Sequence, residues 1–148
     1  METYGISLQT LVAVRKTPGH KNEMVNQLLF GYFLEIKDEF ENWFLIESID
    51  DSYEGWVDKK QLQQLTEETY NLFLPSARFF STDILSECQL IENNLVFQLV
   101  LGSQLHLLIY DTFTIENNSF SFMGNYISVT QNPKKEQIEK TALKYLYT

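Results

Sequence analysis

The sequence predicts an all-β chain built as two small tandem barrels followed by a short C-terminal helix. Apolar and aromatic runs of strand length alternate with turn-forming clusters, and the same plan recurs in the second half of the chain. The last sixteen residues, 133–148, then change to helical spacing. With 44% hydrophobic and 14% aromatic residues in 148, the chain has ample apolar material for packed cores.

Taken in order, Leu8 to Val14 is β-branched and apolar, and Leu28 to Ile36 is apolar and aromatic. Trp43 to Ile49 alternates, and Gly55-Trp56-Val57 is a short extended piece. Thr17-Pro18-Gly19-His20, Lys37 to Asn42 and Asp50-Asp51-Ser52 separate them as turns. Short strands so punctuated favour a closed barrel over residues 1–66, with Leu28, Phe30, Leu34 and Ile46 in its core.

Residues 67–132 repeat this plan as a second, degenerate barrel, the two being joined near Thr66 to Pro75. Gln27-Leu28-Leu29-Phe30-Gly31 has a counterpart 71 residues on in Gln98-Leu99-Val100-Leu101-Gly102. Ser52-Tyr53-Glu54-Gly55 matches Ser121-Phe122-Met123-Gly124 at a displacement of 69. Two landmarks at nearly one offset imply a repeat.

After Pro133, apolar residues at Ile138, Ala142, Tyr145 and Leu146 form a helical stripe. One amphipathic helix at the end of a β-rich chain has few partners, so residues 133–148 read as the start of a helix belonging to a further domain.

Charge and targeting signals limit the functional classes. Eleven basic against 20 acidic side chains give a net charge of −9, whereas nucleic-acid binders carry a basic footprint. No basic, apolar leader precedes Arg15, and no run approaches the roughly 20 apolar residues of a membrane helix. A cytoplasmic protein with no nucleic-acid and no membrane partner is expected.

Candidates for chemistry are few. Cys88 is the single cysteine and lies among Leu85, Leu90 and Ile91, a setting for a buried structural thiol rather than a nucleophile. His20 sits in a polar turn, and the alternation of Leu105, Leu107 and Ile109 turns His106 outward. Asp50 and Asp51 with Glu47 and Glu54 lack the glycine-punctuated spacing of a calcium loop and read as a solvated turn. No catalytic residue, metal or cofactor is therefore expected. Trp43 reads as a core or rim residue, while Trp56, directly after Glu54-Gly55, is either rim or ligand contact.

VAVRKTPGHKNEMVNQLLFG, then Trp43, then GWVDKKQLQ after Tyr53-Glu54, stand in an order spanning residues 5–65 that resembles the bacterial SH3-type domain preceding the catalytic domain of NlpC-type cysteine peptidases. Gly102, Tyr110-Asp111 and Phe120 to Gly124 are similar to the degenerate barrel that follows it in those enzymes. The resemblance implies two tandem SH3-like barrels. It also implies the non-catalytic N-terminal region of a murein-peptide hydrolase that cleaves between γ-D-glutamate and a diamino acid, with the catalytic domain missing from this chain.

The same resemblance implies that the first barrel borders the active site and admits peptides with a free N-terminal L-alanine. Glu23 would pair with the α-amino group, Tyr53 would wall the site, and Trp56 would lie beside them. The expected partners are the chain's own catalytic domain and murein peptides. Rival readings are a free-standing peptide-binding module and a scaffold module that docks on another domain.

Overall fold

In the computed structural model, which describes residues 3–49, 51–73 and 78–129, the chain divides into two units, residues 1–74 and 75–148. The first unit contains β1 (Tyr4–Ser7), β2 (Leu11–Arg15), β3 (Met24–Leu29), β4 (Phe33–Phe40), β5 (Trp43–Ser48), β6 (Glu54–Asp58), β7 (Leu62–Leu65) and helix α1 (Glu67–Phe73), with a 3₁₀ turn at Lys59–Gln61. Its strands form one antiparallel sheet in the order β3-β2-β6-β5-β4-β1-β7.

The apolar run expected from Leu8 to Val14 is interrupted before β2, and that from Leu28 to Ile36 is broken at Gly31, whose φ of 84° no side chain tolerates well. Strand β4 also runs further than expected, through Lys37-Asp38-Glu39 to Phe40. The register shifts between Ile36 and Asp38, and ion pairs continue the pairing: Lys37 reaches Glu35 and Glu47, both at 3.3 Å, and Lys59 reaches Glu39 at 2.6 Å. Hydrogen bonds from Glu35 and then Glu47 raise the pKa of Lys37.

Alternation along these strands builds the core. Val12, Val14, Leu28, Leu34, Ile36, Phe44, Ile46 and Val57 pack as one buried cluster. All four expected core residues, Leu28, Phe30, Leu34 and Ile46, are at most 3% exposed. Strands β2 and β6 cross so closely at Gly55 that an added Cβ would come 2.3 Å from a Val14 methyl.

The expected linker beginning at Thr66 contains α1. Thr66 caps it, its hydroxyl accepting from the Thr69 amide at 3.1 Å, and Glu67 and Glu68 complement the first turn. The helix buries Tyr70 and Phe73, with Tyr70 stacked on Tyr4 at 3.8 Å. The sequence division at 66/67 and the structural one at 74/75 thus differ by this helix.

The second unit contains β8 (Arg78–Ser81), β9 (Leu85–Leu90), β10 (Leu95–Val100), β11 (Gln104–His106), β12 (Thr112–Ile115), β13 (Asn118–Met123) and β14 (Tyr126–Val129). The strands form two sheets, β10-β9-β13-β12 and β11-β8-β14. This is the seven-strand plan of the first unit with one seam opened. Leu11↔Leu29 and Val12↔Leu28 recur as Leu85↔Val100 and Ser86↔Leu99, and Tyr4↔Glu35 recurs as Arg78↔His106.

The seam lies where β4 pairs with β5 in the first unit. Its counterpart β11 has only three residues, and the chain leaves at Leu107 with φ 51° before β12 can pair with it. The fold is therefore all-β and SH3-like in both units, one continuous sheet in the first and two sheets in the second.

Two sequence readings are corrected here. Gln104, Leu105 and His106 are all buried, His106 at 1% exposure, because so short a strand leaves no room for the alternation that would turn the histidine outward. The repeat at displacement 71 is structural, but the one at 69 is not: Arg15 pairs with Trp56, and its counterpart Gln89 pairs with Ser121. Gly55 therefore corresponds to Phe120 and not to Gly124. The helix expected at 133–148 lies outside the described residues.

Candidate functional site

Across the outer face of the first unit runs a row set by strand pairing. Met24 pairs with Arg15, Arg15 with Trp56, and Trp56 with Leu45. Their sequence neighbours Val14, Val57, Phe44 and Ile46 point into the core, so alternation turns the row outward. Arg15 and Trp56 are each half-buried. This strip sets an indole and a guanidinium on paired positions of neighbouring strands.

Glu23 lies one step beyond, where its carbonyl accepts the Lys16 amide at 2.8 Å, and its side chain is exposed. Glu23 and Trp56 thus flank the same end of β2. Tyr53 enters β6 three residues before Trp56, its amide donating to Asp51 Oδ1 at 3.2 Å and its carbonyl accepting from Ser48 at 2.9 Å. Tyr53 is 39% exposed. Among the described residues, the side chains of Glu23, Tyr53 and Trp56 form no hydrogen bond, ion pair or ring contact with one another.

What the sequence did not reveal is how the β2–β3 loop is held. Arg15 Nη1 donates to the Asn22 carbonyl at 3.1 Å, and Asn22 Nδ2 donates to the Pro18 carbonyl at 2.7 Å. Gly19, with φ 141°, has no room for a side chain: a Cβ would sit 2.6 Å from that Nδ2. At the loop tip, His20 Nε2 meets Asp58 Oδ2 at 3.1 Å, and its ring lies 4.8 Å from that of Trp43. Asp58 also caps the 3₁₀ turn by accepting from the Lys60 amide at 2.9 Å. The Pro18-Gly19 turn was visible in the sequence, but the grip of Asp58 on a residue 38 positions earlier was not.

Residues 14–62 match a family model described as the bacterial dipeptidyl-peptidase Sh3 domain. Within the first unit, these residues are therefore similar to a bacterial SH3-type domain. A crystal structure described as an NlpC/P60 family protein from Bacillus cereus ATCC 10987 superposes with a TM-score of 0.75 at 11% identity, over 96% of this chain and 63% of that one. At that identity the likeness is one of fold, and the chain spans 63% of that protein's length. No curated protein matches the chain.

Outside the first unit, Cys88 is fully buried, and burial pushes its thiol from an ordinary 9.0 up to about 12. It is held neutral, the opposite of an activated nucleophile. In the second unit the counterparts of Arg15 and Trp56 are Gln89 and Ser121, so the strip with its cation and indole belongs to the first unit. Asp50, part of the expected acidic turn, lies outside the described residues. No three metal-ligating side chains converge among those described.

Proposed function

We propose that this chain is the non-catalytic SH3-like region of a cytoplasmic murein-peptide hydrolase of the NlpC type, and that its first unit selects peptides with a free N-terminal L-alanine. The observation that carries the reading is the held β2–β3 loop of a dipeptidyl-peptidase-type SH3 domain, which ends at exposed Glu23 beside the Arg15–Trp56 strip. A peptide's α-amino group is cationic near neutral pH and is best met by a carboxylate at hydrogen-bond distance. Glu23 supplies that carboxylate, Tyr53 a wall with a hydroxyl, and Trp56 an apolar floor. The catalytic domain is the partner that completes the cleft and brings the nucleophile. The bond cut would be the one between γ-D-glutamate and the diamino acid.

The second unit acts as a spacer in this reading, since its equivalent face carries Gln89 and Ser121. The chain by itself should release no L-Ala-γ-D-Glu from a murein tripeptide, because its one cysteine is buried and neutral. The reading is tested in a protein joining this chain to its catalytic domain, by comparing kcat/KM for a free and an N-acetylated murein peptide. Equal values for the two peptides would overturn it.

A further inference from the structure

Arg15 and Glu23 carry opposite charges on adjoining positions of neighbouring strands. Arg15 pairs with Met24, and the next residue, Lys16, donates its amide to the Glu23 carbonyl at 2.8 Å. Even so, Arg15 and Glu23 form no ion pair with one another, and neither forms one with any other described residue. Lys37 and Lys59, by contrast, are both engaged by glutamates across their strands.

The guanidinium is anchored by one corner. Its hydrogen bond runs from Nη1 to the Asn22 carbonyl at 3.1 Å, which holds the half-buried side chain on the outward row beside Trp56. The edge formed by Nε and Nη2 makes no bond to a described residue. That edge is a two-donor fork matching the two oxygens of a carboxylate.

A carboxylate and a guanidinium that stand side by side without pairing are the complement of a ligand with an ammonium and a carboxylate at similar spacing. In an ordinary peptide the α-carboxyl of the second residue is consumed by the chain. A glutamate linked through its γ-carboxyl keeps it. The α-amino group of the first residue and the α-carboxylate of the second then stand on Cα atoms about 3.8 Å apart. Neighbouring strands lie about 4.8 Å apart, so side chains from adjoining strand positions can span such a pair. On the substrate proposed above, we infer that Arg15 binds the α-carboxylate that the γ-linkage leaves free. Glu23 reads the amino end of the peptide and Arg15 reads its linkage. Gln89 at the corresponding place confines this to the first unit.

The test is a nuclear magnetic resonance titration of the isotope-labelled 148-residue chain with the tripeptide L-Ala-γ-D-Glu-L-Lys. A Kd of the order of one millimolar is expected for so small a ligand, with shifts around Arg15, Glu23 and Trp56. Converting the glutamate α-carboxylate to its amide, or moving the linkage to the α-carboxyl, should raise Kd at least about 10-fold. Arg15→Gln should bring the free and amidated peptides within about 2-fold of each other. Arg15→Lys should keep part of the preference, because it keeps the charge and loses the fork. Asn22→Ala removes the bond to Pro18 that braces the same loop and leaves the guanidinium in place, so it should keep the preference. Circular dichroism confirms that every variant is folded. Equal binding of the free and amidated peptides overturns the inference, as does an Arg15→Gln protein that still prefers the free acid. An absence of shifts at about 20 millimolar peptide overturns it too, while the comparison of free and acetylated peptides in the joined protein still tests the substrate reading. Binding weakened by N-acetylation and not by amidation keeps the role of Glu23 and removes that of Arg15. The reverse pattern keeps the carboxylate at Arg15 and removes the selection of a free N-terminus.

Discussion

The amide of Gly31 donates to the carbonyl of Ser7 at 2.7 Å, and the same bond recurs between Gly102 and Ser81 at 2.9 Å. Around each glycine the serine closes a clasp. Ser7 Oγ donates to the Leu29 carbonyl and accepts from the Tyr32 amide at 3.2 Å; Ser81 Oγ donates to Val100 at 3.0 Å and accepts from Ser103 at 3.2 Å. Both serines are fully buried, and both glycines are left-handed, at φ 84° and 89°. The clasp ties the end of β1 or β8 to the turn after β3 or β10, so it fixes the first crossing of each unit.

Gly31→Ala should therefore destabilise the first unit by about 1–2 kcal/mol, the cost of a side chain in the left-handed region. Ser7→Ala leaves the Tyr32 amide without its hydroxyl acceptor and should cost about 1–3 kcal/mol. Urea midpoints measure both. Losses below about 0.5 kcal/mol, the size of ordinary surface changes, would mean that the clasp is not what holds the crossing.

That clasp explains why the repeat at Gln27 and Gln98 was legible in the sequence: a turn that needs φ above zero keeps its glycine, and the strand before it keeps its pattern. Strand β6 and its counterpart β13 share no such requirement, and the similarity of Ser52–Gly55 to Ser121–Gly124 was misleading. Helix α1 did leave a signal, a threonine cap followed by two glutamates. Its seven residues were too few to show a stripe. At the candidate site, Trp56 and Glu23 could be named from their order in the chain. Their placement on either flank of Arg15 is a product of strand pairing that local sequence does not encode.

Leu28 is 3% exposed and belongs to the central cluster of the first unit. Leu28→Ala should cost about 2–5 kcal/mol through lost transfer energy and the cavity left behind. In a small barrel that loss is a large share of the total stability. Thermal or urea unfolding of the first unit checks it, and a loss under about 0.5 kcal/mol would contradict the observed packing.

Burial of Cys88 makes stability depend on pH at the alkaline end. Its folded pKa, about 12, lies above the ordinary 9.0, so above pH 9.0 the folded state holds a proton that the unfolded state has lost. The stabilisation is complete below pH 9.0 and declines by about 1.4 kcal/mol per pH unit until the folded thiol titrates. The Cys88→Ala variant should lack this slope, so the stability difference between wild type and variant should itself decline with pH over that window. The folded protein should also resist alkylation at pH 8, and rapid labelling there would show the thiol to be accessible.

In a protein joining the chain to its catalytic domain, Glu23→Gln should weaken use of peptides that begin with a free L-alanine. It should matter little for an N-acetylated peptide, which has no positive charge for the carboxylate to meet. Losing a charge-assisted hydrogen bond costs about 1.5–3 kcal/mol, so the ratio of kcat/KM for free over acetylated peptide should fall by roughly 10-fold to 100-fold. Tyr53→Phe should lower the same ratio by less, since it removes a hydroxyl and keeps the wall. Tyr53→Ala should instead admit longer stems. Glu23 is exposed and forms no ion pair among the described residues, so Glu23→Gln should leave the unfolding midpoint unchanged and a changed ratio would report on the substrate alone. A ratio unmoved by both Glu23→Gln and Tyr53→Phe in folded protein would make the first unit a spacer like the second.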